Sequence, residues 1–176
     1  MRTFLALLGC AAVLASDGGL LAARTRRASP HETTSATIDG ALITIAYGRP
    51  YMRGRRIMGG LVPYDRVWAT GADEATTLAT TRAIRIGEAT LDAGRYSLWT
   101  LPSAGTWKLI VNRQTGQWHT QYDARRDVAR IDLTTRVLDK PVEQLTISIE
   151  KGAHGGGVLA IAWELTEVSV PFTVLR

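Results

Sequence analysis

The sequence predicts an all-β domain: an antiparallel β-sandwich, with a jelly-roll-like or barrel-like arrangement as the alternative. Two observations carry this. Short runs alternate apolar with polar residues, and turn-forming Gly, Pro, Asn and Asp separate them at close, regular spacing. No stretch repeats apolar residues at i, i+3 and i+4 over a useful helix length, and only residues 123–128 have room for a single helical turn.

Composition sets the outer bounds. The chain has 176 residues, 45% of them apolar and 21% charged, which suits one soluble domain with a sizeable core. The formal net charge is +5, and Lys108, Lys140 and Lys151 are the only lysines, so the basic character is arginine. An isoelectric point near 9.8 raises the question of nucleic acid. No nucleic-acid motif accompanies the charge, so nucleic acid is not expected as a partner. Five Trp and five Tyr stand against two Phe. Aromatic rings with a polar handle favour half-buried positions and binding surfaces.

Residues 1–15, MRTFLALLGCAAVLA, read as a secretory signal peptide: Arg2, an apolar run, then small residues at Val13 and Ala15 where a signal peptidase reads. Cleavage is expected after Ala15, or as late as Ala23, and the protein is expected to be exported, periplasmic or secreted. Ser16-Asp17-Gly18-Gly19 interrupts the apolar stretch, so no stable membrane span is expected. Cys10 is the only cysteine and would leave with the signal, giving a disulfide-free mature domain. The apolar region before Leu7-Leu8-Gly9-Cys10 is too short for a lipoprotein box, so lipid anchoring at Cys10 is not expected. Residues 24–35 read as a flexible polar lead-in, and 36–176 as a single β-domain.

Within that domain Asp39-Gly40 sits between two apolar runs, a hairpin signal joining residues 36–38 to 42–47. Residues 75–80, 83–86, 95–101 and 107–112 read as strands, separated by Gly87, Leu91-Asp92-Ala93-Gly94 and Pro102-Ser103-Ala104-Gly105. Beyond them come strands at 128–137, at 145–150 and, after the glycines of 152–157, at 158–165. In the last of these Leu159, Ile161, Trp163 and Leu165 share a face. Residues 168–174 close the chain, with Pro171 marking an edge position.

Residues 47–77 break this regularity. Arg49, Arg53, Arg55, Arg56 and Arg66 stand among Tyr47, Tyr51, Tyr64 and Trp68, and the stretch runs on to Asp73-Glu74. Long irregular connections are uncommon in compact domains and are often functional. Guanidinium groups grip carboxylates and phosphates with paired hydrogen bonds and stack on aromatic faces, so the segment reads as an anion or sugar pocket. The competing expectation is a buried ion-pair network in which these arginines meet Asp65, Asp73, Glu74, Asp123 or Asp127. A second cluster, residues 115–127, sets Trp118 and Tyr122 beside Asp123 and Asp127. Aromatic platforms with nearby polar groups suit carbohydrate; alternatively the loop packs over the end of the sandwich with Trp118 as its anchor.

Catalytic signatures are missing: there is no phosphate-loop lysine and no serine elbow, and His31-Glu32 lacks the second zincin histidine. No catalytic residue, metal ligand or cofactor is assigned. The candidate ligand-binding residues are Arg49, Arg53, Arg55, Trp68, Asp73, Glu74, Trp118 and Tyr122, serving a small anionic or carbohydrate ligand. The alternatives are a hydrolase with Asp73, Glu74 or His119 as acid or base, and a structural envelope-associated protein.

Four stretches together resemble a bacterial family of exported proteins known as domain of unknown function 2911. They are YGRPYMRGRRIMGGLVPYDRVWATGADEAT from Tyr47, DAGRYSLWTLP at 92–102, WKLIVNRQTGQWHTQYDARRDVARI at 107–131 and VSVPF at 168–172. The resemblance covers about residues 30 to 174. It implies an exported single domain and brings no activity with it. Ala69 departs from the family pattern, which has an arginine after the tryptophan.

Overall fold

A computed structural model describes residues 28–176. The signal segment, Cys10 and the first part of the polar lead-in lie outside the described residues. Nine strands follow in order: β1 (His31–Ile38), β2 (Ala41–Gly48), β3 (Thr77–Thr80), β4 (Ile84–Ile86), β5 (Ala89–Leu91), β6 (Gly94–Leu101), β7 (Trp107–Asn112), β8 (Asp127–Lys151) and β9 (Gly157–Val174). The only helical piece among the described residues is a 3-10 turn at Ala124–Arg126, within the stretch where the sequence leaves room for one. Every pairing between strands is antiparallel.

One sheet runs β1-β2-β3-β6-β7-β8-β9-β4-β5. Its outer strands β1 and β5 do not pair with each other, so the barrel alternative is excluded. Strand β8 joins two halves: Asp127 to Leu133 pair with β7, and Thr134 to Lys151 pair with β9. The halves fold onto each other. Ile43 and Ile45 of β2 and Leu78 of β3 meet Ile84 and Ile86 of β4, Ile149 of β8, and Leu159 and Phe172 of β9. Burying apolar faces on each other is what a sheet of alternating residues requires. The Tyr47 hydroxyl ties the halves directly by accepting from the Ile147 N–H at 2.9 Å.

Several boundaries differ from the sequence reading. Strand β1 starts at His31, so the second half of the polar lead-in is strand, not flexible chain; its side chains are mostly exposed because it forms one edge of the sheet. The strands expected at 128–137 and 145–150 are one strand, and so are those at 158–165 and 168–174. Extra residues in β8, Pro141 among them, are absorbed as register shifts on either side of Val142. In β9 the break is at Glu164, which sits at φ 55°. That left-handed residue shifts the alternation, as a bulge does. Ile161 and Trp163 face inward before it and Val168, Val170 and Phe172 after it, which leaves Leu165 43% exposed instead of sharing their face. The edge position expected for Pro171 is not observed. Strand β9 pairs with β8 up to Ser169 and with β4 from Phe172, and Pro171 falls between the two ladders, where a missing N–H breaks neither.

The irregular connection between β2 and β3 continues the ladder along β6 where β3 stops. Trp68 and Thr100 exchange both backbone hydrogen bonds at 2.8 Å, and the Leu98 N–H reaches the Thr76 carbonyl at 2.8 Å. It starts from a fixed point. Arg49 donates from Nε to the Leu145 carbonyl at 2.8 Å and from Nη2 to Thr146 Oγ1 at 2.9 Å, and its Nη1 pairs with Glu32. Two strands from opposite halves, β1 and β8, are thereby fastened to one side chain.

Replacing Arg49 should therefore act on stability. Charge-assisted hydrogen bonds in such a setting are worth about 1.5–3 kcal/mol, so Arg49→Ala should lose about that much in urea denaturation. Arg49→Lys should recover little of it, because lysine cannot reproduce a three-way fork. An Arg49→Ala midpoint equal to wild type would mean that these contacts carry nothing.

Candidate functional site

From Arg49 onward the connecting segment is held mainly by hydrogen bonds from its own backbone. The Met52 N–H reaches the Glu143 carbonyl at 2.7 Å, and the Leu145 N–H reaches the Pro50 carbonyl at 3.0 Å. The chain then reverses, and the N–H groups of Ile57 and Met58 find the Glu164 carboxylate at 3.2 and 2.9 Å. At its far end the Ala72 N–H reaches the Gly48 carbonyl at 3.3 Å. That approach leaves no room for a side chain at Gly48, where a Cβ would lie 2.2 Å from the Ala72 oxygen. Four non-glycine residues of the segment, Arg53, Asp65, Thr70 and Asp73, have positive φ. For the β-branched Thr70, at φ 56°, this is an outlier. Such strain persists only where surrounding contacts over-determine it. Thr70 is fully buried, its carbonyl accepts from Thr76 Oγ1 at 3.0 Å, and its hydroxyl donates to Thr100 Oγ1 at 3.2 Å.

The segment and the loop after β7 enclose a cleft of about 630 Å³. The two are joined by an antiparallel bridge between Glu74 and Trp118 and by the His119 N–H, which donates to the Asp73 carbonyl at 2.9 Å. Aromatic rings make the wall. Trp68 stacks on Trp163, centroids 5.8 Å apart, and Tyr122 tilts against Trp99 at 5.0 Å. Arg53, Arg55 and Tyr51 also line the cleft, as do Asp73, His119 and Thr120.

The Arg55 guanidinium donates to two carbonyls of its own loop, from Nε to Met52 at 2.9 Å and from Nη2 to Tyr51 at 2.7 Å. Arg53 lies over the Tyr51 ring, 5.9 Å from its centroid, and donates to the Ala28 carbonyl at 3.2 Å. The arginines of the segment do not pair, among the described residues, with Asp65, Asp73, Asp123 or Asp127 as the competing arrangement expects. Among the described residues, Asp123 pairs with Arg125 and Arg126, Asp127 with Arg130, and Asp73 and Glu74 lie against His31 Nε2 at 3.4 and 3.2 Å. Arg49 meets Glu32 instead.

Of the residues expected to bind ligand, Arg53, Arg55, Trp68, Asp73 and Tyr122 line the cleft; Arg49, Glu74 and Trp118 do not. Trp118 is 44% exposed, so it does not anchor its loop. Gln117, 6% exposed, does so instead: its side-chain amide nitrogen donates to Ser97 Oγ at 3.1 Å and its backbone carbonyl accepts from the Ala75 N–H at 2.9 Å. Trp99 and Trp163 were not legible as cleft residues, because each sits in a strand whose alternation reads as core. The signal that existed for Trp99 is its parity: it points away from the face that carries Leu98 into the main core.

The Tyr122 hydroxyl donates to Asp127 Oδ2 at 2.6 Å and accepts from Arg130 Nη2 at 2.9 Å. Burial of the phenol, reinforced by the Asp127 carboxylate, pushes its pKa up to about 12. With its hydroxyl engaged on both sides, Tyr122 offers the cleft its ring.

An all-β domain with an arginine- and tryptophan-lined cleft at one end is the class of protein these features define. The chain belongs to the family described as Protein of unknown function (DUF2911), whose match spans residues 29–172 and so takes in nearly the whole cleft. No curated protein and no solved structure matches it. No described helix is long and apolar enough to cross a membrane.

The Tyr122 environment has a pH consequence. Its folded pKa is raised above the ordinary value of 10.0, so its contribution to stability is complete below pH 10 and is lost as pH rises towards 12. In an alkaline absorbance titration Tyr122→Phe should remove one late phenolate transition near pH 12. Should all late transitions persist in the variant, the hydroxyl is not held as described.

Proposed function

We propose that this is an exported, non-enzymatic domain that binds a small anionic or carbohydrate ligand in the cleft between residues 49–76 and the loop after β7. Export rests on the signal-like sequence of residues 1–15. The observation that carries the binding reading is the state of Arg53 and Arg55. Both guanidinium groups border a cleft with aromatic walls, and their only hydrogen bonds among the described residues go to backbone carbonyls. A guanidinium has five donors, so each keeps some for a ligand. The cleft volume lies within the range of small-molecule sites, roughly 300–1,000 Å³.

The hydrolase reading has less behind it. Asp73 and Glu74 both lie against His31 Nε2, an arrangement that occupies the carboxylates with an internal partner. Of the two, Asp73 alone borders the cleft.

The test is thermal shift with a panel of inorganic anions and small sugars. Arg55→Ala should leave the unliganded melting temperature within a degree or so of wild type, as exposed substitutions usually do, and abolish the ligand-induced shift. Arg55→Lys should keep part of an anion's effect and lose the rest, since charge survives and the bidentate fork does not. A large fall in melting temperature in Arg55→Ala, with no panel member shifting wild type, would make the segment purely structural.

A further inference from the structure

The cleft borders differ in hydrogen-bonding character, and the difference narrows the ligand. Arg53 and Arg55 supply only donors and positive charge. His119 supplies an acceptor. The His119 ring shows why. Its Nδ1 lies 2.7 Å from the Asp73 carbonyl oxygen, which can only accept, so Nδ1 must carry the hydrogen. In that tautomer Nε2 is bare and accepts, whereas the Asp73 carboxylate already faces His31 Nε2 at 3.4 Å. A hydroxyl donates to the bare His119 Nε2, and an anion without a hydrogen to give gains nothing from it. Trp68 and Tyr122 also line the cleft, backed by the buried rings of Trp163 and Trp99.

We infer that the ligand is an acidic sugar: a pyranose-type ring against the aromatic wall, its carboxylate or phosphate on Arg53 and Arg55, a ring hydroxyl donating to His119 Nε2. This rests on the binding reading above and deepens it. A bare inorganic anion would leave the acceptor and the aromatic wall unused. A neutral sugar would leave two guanidinium groups without a counter-charge. Charge-assisted hydrogen bonds to a carboxylate or phosphate are the stronger kind, so the acid group should dominate the discrimination.

Calorimetric titration of the purified protein with four probes tests this: glucose, glucuronate, glucose 6-phosphate and inorganic phosphate. At least one acidic sugar should bind about tenfold or more tightly than both glucose and phosphate, the factor that one charge-assisted hydrogen bond supplies. Comparing glucuronate with glucose 6-phosphate decides which acid group the arginines take. Arg55→Ala, with Arg53→Ala as a second variant in case the first loosens its loop, should bring the acidic sugar to the level of glucose. His119→Phe should weaken the sugars and leave phosphate unchanged. Glucose binding as tightly as the acidic sugars, or phosphate doing so, would overturn the acidic-sugar assignment while leaving a binding cleft in place. No heat from any probe, in a protein that the anion and sugar panel does stabilise, would overturn it in the same way. No response to the probes or the panel would remove both readings.

Discussion

The Glu164 carboxylate holds the structure's irregular part in place. A chain crossing the end of a sandwich presents N–H groups that no neighbouring strand can satisfy, and a buried donor without a partner costs about 1–3 kcal/mol. Ile57 and Met58 are both buried, and both their N–H groups end on Glu164. Glu164 is able to serve because it is the left-handed residue that interrupts β9. That interruption changes which residues of β9 face inward, turns a carboxylate towards the segment, and leaves its neighbour Trp163 stacked on Trp68. A single bulge thus connects strand phase, loop anchorage and the aromatic wall of the cleft. With the segment fastened at Arg49 and at Glu164, its strained residues are held by contacts on both sides, and Ile57, Met58 and Val62 join the main core.

This fixing bears on the binding reading. A site whose side chains are ordered beforehand loses less freedom when a ligand arrives. Arg55 illustrates it: two of its donors are spent on the carbonyls of its own loop, which sets the direction of the guanidinium before any ligand is present. Arg49, one residue before the cleft-lining Pro50, does the opposite work and spends its fork on β1 and β8. Two arginines of one short motif therefore divide into an anchor and a binding candidate, a division that depends on where the chain turns.

That division also shows what was legible in advance. The all-β class, the Asp39-Gly40 hairpin and the irregular segment could all be read, because alternation and turn chemistry are local properties. Asp39 and Gly40 have the positive φ pair, 45° and 79°, that the hairpin signal requires. The union of strands into β8 and β9 could not be read, because Pro141 and the lost alternation between Leu165 and Val168 look like breaks until a partner strand absorbs them as shifts in register. Arg53, Arg55, Trp68, Asp73 and Tyr122 were found from residue type and neighbourhood. Arg49, Glu74 and Trp118 share that neighbourhood and fall outside the cleft, since a loop's residue types do not tell which way each side chain turns. Trp99 and Trp163 come to the cleft through tertiary packing alone.

Glu164 pins the segment to β9, and amide hydrogen exchange at Ile57 and Met58 tests this. Both amides should be protected in the wild-type protein to a degree comparable with those of β6 and β7. In Glu164→Gln, which keeps the shape but removes the charge and one acceptor oxygen, at least one of the two should exchange much faster while β6 and β7 stay protected. Rapid exchange at both amides in the wild type, or protection unchanged by the substitution, would mean that Glu164 does not hold the segment.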